Sequence, residues 1–149
     1  MNLKYFDDAF KEANAAFFED EVPIGAVIVK NNKIIAKSHN QKEKDCCCLS
    51  HAEILVIQSA SKKLKNWRLE DCDLYVTLDP CPMCASAIKQ ARIKNVYSAL
   101  NNNDLLNFDF ITKIFESDTV NPGVHFESNC CIEQSRELLK KFFKKQRNS

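Results

Sequence analysis

The sequence predicts an α/β fold, a mixed five-stranded sheet covered by helices on both faces. Apolar residues at helical spacing alternate along the chain with short β-type runs. The first two such runs flank a turn and read as a hairpin, and helical stretches separate the later ones, the pattern that builds parallel pairing onto an antiparallel start.

Taken in order, Leu3, Phe6, Phe10, Ala13 and Phe17 recur at helical spacing and predict an amphipathic opening helix ending near Asp20. Residues 24–29 and 34–36 are apolar β-type runs on either side of Lys30-Asn31-Asn32-Lys33, which predicts the hairpin. A loop over residues 40–50 leads into a helix beginning at His51, with Leu55, Ile57 and Leu64 available to the core. A strand at 74–78, a helix begun at Cys81, a strand near 96–100, a short helix around 108–115, a strand near 124–127 and a closing helix from Ile132 follow.

At 149 residues, with no repeat, low-complexity run or Pro/Gly-rich linker, the chain is expected to form one domain over residues 1–149. No apolar stretch is long enough to span a bilayer, and the first residues lack the basic-then-apolar layout of a secretory signal, so a cytoplasmic protein with no membrane partner is expected. The eight cysteines agree with that, because Cys46-Cys47-Cys48 and Cys130-Cys131 are spaced poorly for a disulfide framework and suit a reducing compartment. A net charge of +1 excludes a surface coated for indiscriminate nucleic-acid binding. Its distribution is uneven: six acids face only Lys4 and Lys11 over residues 1–21, while Arg136, Lys140, Lys141, Lys144, Lys145 and Arg147 crowd the other end. A polyanion would meet that basic end first, with Lys62, Lys63, Lys65 and Arg68 adding to the footprint.

Chemistry is concentrated in His51-Ala52-Glu53 and Pro80-Cys81-Pro82-Met83-Cys84. A catalytic zinc uses three protein ligands and leaves one position to water, and His51, Cys81 and Cys84 supply that number, with Glu53 free to move protons. Pro82 suits the first position of a helix, where its missing N–H is no loss, so Cys81 and Cys84 fall in an opening turn and share a face. With Zn–S bonds of about 2.3 Å their sulfurs would stand roughly 3.8 Å apart. Ser50 and Glu53 have the spacing of a capping box, which places His51 at the start of its own helix. Two helix tips would then converge on one ion.

These motifs resemble the zinc-dependent cytidine/adenosine deaminase superfamily, whose signature is His-x-Glu with Pro-Cys-x-x-Cys. Within it the chain most resembles the bacterial tRNA-specific adenosine deaminases. Glu21-Val22-Pro23-Ile24-Gly25-Ala26-Val27, Asn40, Asn66-Trp67-Arg68-Leu69, Leu74-Tyr75-Val76-Thr77-Leu78 and Leu138-Leu139-Lys140-Lys141-Phe142-Phe143 carry that likeness. Two stretches differ, Cys47-Cys48-Leu49-Ser50 before the histidine and a glycine-free segment over residues 101–107. The resemblance implies a three-layer α/β/α cytidine-deaminase-like fold and one Zn²⁺ per subunit. It implies hydrolytic deamination of adenosine to inosine at the tRNA wobble position by zinc-bound hydroxide, with Glu53 as proton shuttle and Asn40 touching the flipped nucleotide. It further implies a homodimer that binds the tRNA anticodon arm across both subunits.

Two other readings stay open in the sequence. The same zinc signature serves deaminases of guanine, cytosine or dCMP. A non-catalytic zinc module would instead close the coordination with Cys46, Cys47 or Cys48.

Overall fold

The computed structural model describes residues 1–102, 105–120 and 123–149, and of residues 105–108 the backbone alone. The chain runs α1 (Lys4–Phe18), β1 (Gly25–Lys30), β2 (Lys33–His39), α2 (Ala52–Leu64), β3 (Cys72–Val76), α3 (Pro82–Gln90), β4 (Asn95–Ser98), α4 (Leu105–Glu116), β5 (His125–Glu127) and α5 (Ile132–Arg147). The strands form one sheet in the order β2-β1-β3-β4-β5. β1 pairs antiparallel with β2 and β3, whereas β3, β4 and β5 are mutually parallel, so the sheet is mixed as expected.

Side chains alternate across a strand, and here the alternation sorts two cores. Ala26, Ile28, Leu74, Val76 and Val96 face Ala52, Val56 and Ala60 of α2, Ala85 and Ile88 of α3, and Ile111 and Phe115 of α4. On the other face Val27, Val29, Tyr75 and Tyr97 pack against Tyr5, Phe6, Ala9 and Phe10 of α1. α5 lies beside α1, with the Phe142 and Phe17 rings 6.4 Å apart. Three layers result, helices on both faces of the sheet.

The β1–β2 turn is closed by Asn31 and Asn32, both at positive φ (51° and 61°), the two-residue hairpin geometry that asparagine tolerates. β2 continues three residues past Ala36, through Lys37, Ser38 and His39, which pair with Val27, Ala26 and Gly25. Gly25 is where α1 crosses the sheet: a Cβ there would fall on the Ala9 carbonyl and 2.6 Å from the Ala13 nitrogen. α3 is tied to α4 by Lys89, whose buried ammonium donates to the carbonyls of Phe115 and Ser117 at the end of α4.

Some local expectations are corrected. The opening helix uses Tyr5, Phe6, Ala9, Phe10, Ala13 and Ala16 for its core face, while Leu3 sits 56% exposed before its first turn. The core stripe of α2 is Ala52, Val56 and Ala60, flanked by the half-buried Ile57 and Leu64; Leu55 projects elsewhere. The 101–107 segment lies partly outside the described residues. Among the described residues, no helix is long and apolar enough to cross a membrane.

Candidate functional site

The site is made where β2 and β3 hand the chain to α2 and α3. β3 ends at Val76, and the five residues that follow are fastened on several sides. Thr77 N–H donates to the Gly25 carbonyl at 3.1 Å, and its hydroxyl accepts the Gly25 N–H at 3.1 Å. The Ser135 hydroxyl of α5 donates to the Thr77 carbonyl at 2.5 Å. Asp79 N–H donates to the Leu100 carbonyl at 2.9 Å, and its carboxylate accepts the Ser128 hydroxyl at 2.5 Å. Burial pushes the Asp79 carboxyl up from its ordinary value. Thus held, the chain delivers Cys81 as the N-cap of α3 and Pro82 as its first helical residue.

The other half begins at Asn40, which is 6% exposed and donates its N–H to the Ile24 carbonyl at 3.1 Å. The next residue, Gln41, donates to the Ser50 carbonyl at 2.9 Å and closes the 41–50 loop, bringing Asn40 within two peptide links and one hydrogen bond of His51. The base of that loop is clamped by Glu21, 1% exposed, whose carboxylate accepts the N–H groups of Glu43 at 3.0 Å and Lys44 at 2.8 Å. His51 is the N-cap of α2 in an extended conformation, and no side chain caps that helix end. The capping box is therefore not formed. The helix starts one residue later than its spacing requires, so Ser50 lies outside the cap and Glu53 is left for the site.

His51, Cys81 and Cys84 meet there, their ligand atoms all within 4.8 Å of one another. His51 Nδ1 is 3.7 Å from Cys81 Sγ and 3.4 Å from Cys84 Sγ. Tetrahedral zinc with bonds of about 2.05 and 2.3 Å sets nitrogen and sulfur about 3.6 Å apart. The donor set, two soft thiols and one imidazole, suits such an ion in chemistry as well as in spacing. None of Cys46, Cys47 and Cys48 joins the group, and the sulfur of Cys46 instead meets the Glu43 carbonyl at 3.6 Å. A closed four-protein-ligand site is not what this geometry builds.

Electrostatics distinguish the three ionisable neighbours. The Cys81 thiol is held down to about 5, chiefly by the hydrogen bond from Cys84, with help from the N–H groups of Met83 and Cys84 at the tip of α3 and from His51. The same hydrogen bond, together with burial, pushes the Cys84 thiol far above the ordinary range. Glu53, 4% exposed, is raised to about 7, first by burial and also by the Cys81 charge. A carboxyl that exchanges its proton near neutrality thus sits against the pair of sulfurs.

Beyond this centre, a groove of about 1070 Å³ has Leu78 and Asn101 on one wall and Arg136, Lys140, Lys144 and Arg147 of α5 on the other. Four of the six basic residues noted at this end of the sequence line that edge, whereas Lys145 pairs with Asp20 at 2.9 Å and Lys141 lies off the groove. Nothing in the sequence assigns a role to Glu21 or Asp79. Asp79 is marked only by its place between Leu78 and Pro80, and Glu21 only as the last of three consecutive acids.

A sheet layered between helices, with an imidazole and two thiols at adjoining helix tips, is the arrangement of the cytidine-deaminase-like enzymes. The family model of the MafB19-like deaminases matches residues 1–147. A tRNA-specific adenosine deaminase of Aquifex aeolicus is 42% identical over 151 aligned positions, covering 100% of this chain and 99% of the relative. A solved structure from work on A-to-I editing by tRNA:A34 deaminases at the wobble position superposes with a TM-score of 0.85 at 36% identity, over 93% of this chain and 100% of that one. A guanine deaminase of Bacillus subtilis superposes at 0.66 with 31% identity, over 100% and 96% of the respective chains. The chain belongs to the tRNA-specific adenosine deaminase family, within the MafB19-like deaminases.

Proposed function

We propose that residues 1–149 act as one deaminase domain that converts adenosine to inosine at the wobble position of a tRNA anticodon. The observation that carries the chemistry is the convergence of His51 Nδ1, Cys81 Sγ and Cys84 Sγ beside the buried Glu53 carboxyl. The full-length likeness to an Aquifex tRNA-specific adenosine deaminase supports the choice of substrate. His51, Cys81 and Cys84 hold one Zn²⁺ per subunit, which supplies Lewis-acid activation of water when bound.

The chain's own groups do the rest. Cys81, already a thiolate at neutral pH, would serve as a ligand without losing a proton, whereas Cys84 holds its proton and would have to release it to serve as one. Glu53 takes a proton from the attacking water, passes it to the purine ring nitrogen, and returns one to the leaving ammonia; a carboxyl near 7 is matched to both directions. Asn40, two peptide links and one hydrogen bond from His51, contacts the nucleotide brought out of its stack. The α5 edge of the groove offers cations to the RNA backbone. A homodimer acting in the cytoplasm completes the reading.

Incubating the purified protein with an anticodon stem-loop carrying adenosine at the wobble position, and separately with free guanine, cytosine and dCMP, tests this. Inosine in the RNA, with the small substrates untouched, is the expected result. Turnover of guanine alone would move the protein to the second reading, which the likeness to the Bacillus guanine deaminase supports.

A further inference from the structure

The pole opposite the metal ligands carries a basic, aromatic surface that the chemistry leaves unused. α2 ends at Leu64, and Lys65 caps it in the left-handed conformation. The chain then turns through Asn66, Trp67 and Arg68, the Arg68 N–H donating to Asn66 Oδ1 at 3.0 Å. Leu69 is fully buried and donates its N–H to the carbonyl of Ala91, the C-cap of α3, at 2.7 Å. That bond sets the turn beside Arg92, which follows α3 at a φ of 66°.

Trp67 is 52% exposed, with the guanidinium carbon of Arg68 4.3 Å from the ring centre and that of Arg92 5.6 Å away. Lys62, Lys63 and Lys65 are exposed nearby on the same helix end. Among the described residues, no carboxylate comes within ion-pair distance of any of these five cations. Cations in the last turn of a helix complement its dipole, and that accounts for the lysines. It does not account for an indole held open to solvent under two guanidiniums. Unpaired lysines and arginines around an ordered, exposed aromatic ring are what a nucleic-acid backbone and its bases engage, through phosphate contacts and stacking.

We propose that this surface is a second RNA contact, binding the phosphodiester backbone of the substrate at a part remote from the reacting base. It rests on the tRNA-deaminase reading and extends it. α2 has His51 at one end and this surface at the other, and its 13 residues span about 20 Å, a separation that a folded RNA bridges and a free base does not.

The test compares a whole tRNA bearing adenosine at the wobble position with its isolated anticodon stem-loop. Wild-type inosine formation in the stem-loop secures the functional reading first, and its failure there defeats that reading rather than this one. Lys62→Glu/Lys63→Glu is then set against a net-charge-matched control, Lys11→Glu/Lys33→Glu, placed on α1 and beside the β1–β2 turn. Reversal at the proposed surface is expected to raise KM for whole tRNA about tenfold with kcat unchanged, and to lower the slope of log KM against log salt by about 0.9 for each phosphate the protein ceases to neutralise. KM for the stem-loop should stay within about twofold, as should both KM values of the control. Trp67→Ala, checked for an unchanged melting temperature, should raise KM for whole tRNA by about fivefold or more. An unaltered KM for whole tRNA in both surface variants overturns the proposal, and so does an equal loss on the stem-loop.

Discussion

Glu53 sits one residue from where a simple capping role would have placed it, and that offset decides its chemistry. As the second residue of α2, it makes no cap and lies against Cys84, buried, with its carboxyl near 7. Glu53→Gln preserves shape and leaves the three ligands in place. Metal content measured by atomic emission should therefore stay at the wild-type level while inosine formation falls by about 10²–10⁴-fold, the usual worth of a positioned acid-base group. Retained turnover would remove Glu53 from the mechanism. At this scale the meeting of His51, Cys81 and Cys84 beside Glu53 was legible, because the His-x-Glu and Cys-x-x-Cys spacings put these side chains at two helix starts. Glu21 and Asp79 were not: Glu21 meets Glu43 and Lys44 more than 20 positions away, and Asp79 meets Ser128 across 49.

The elements show why the pattern was readable in kind and less so at its ends. Apolar runs marked all five strands, but β2 extends through Lys37, Ser38 and His39 by backbone pairing with β1, which hydropathy does not register. Likewise α2 brings Ile57 and Leu64 to its core as expected, but its fully buried stripe is Ala52, Val56 and Ala60, small residues that hydropathy alone does not single out. Close approach governs α1 over Gly25. Gly25→Ala drives a methyl into the backbone of α1 at Ala9 and Ala13, so neither neighbour is a flexible side chain able to move aside. A loss of about 3 kcal/mol or more is expected, measured by urea denaturation. Wild-type stability in that variant would show that α1 shifts off the sheet at little cost.

For the whole molecule, the sequence indicated one mixed sheet with helices on both faces, while the strand order depended on long-range pairing that only the folded chain displays. Stability as a function of pH is another property of the whole. In chelated protein, Cys81 is depressed from 9.0 to about 5, so its contribution is present at high pH and lost as pH falls towards 5. Glu53 is raised from 4.5 to about 7, so its contribution is present at low pH and lost as pH rises towards 7. The two oppose between about 5 and 7. Above that Cys81 acts alone until pH nears the ordinary thiol range, where Cys84, pushed up by its hydrogen bond to Cys81 and by burial, and Cys72, Cys130 and Cys131, pushed up by burial, act against it. Unfolding free energy should then climb by up to about 1.4 kcal/mol per pH unit from about pH 7 to 8, and Cys81→Ser should flatten the rise. A wild-type protein with no such rise would place the thiolate elsewhere.

The fastenings of residues 77–81 also impose an order in time. Ser128 and Ser135, which hold Asp79 and Thr77, lie some fifty residues downstream. Translation proceeds from the amino end, so a ribosome that has just released Cys81 and Cys84 exposes two thiols on an unsecured tether. Assembly of the ligand set is accordingly a post-synthetic event, completed when the last helix folds back against the sheet.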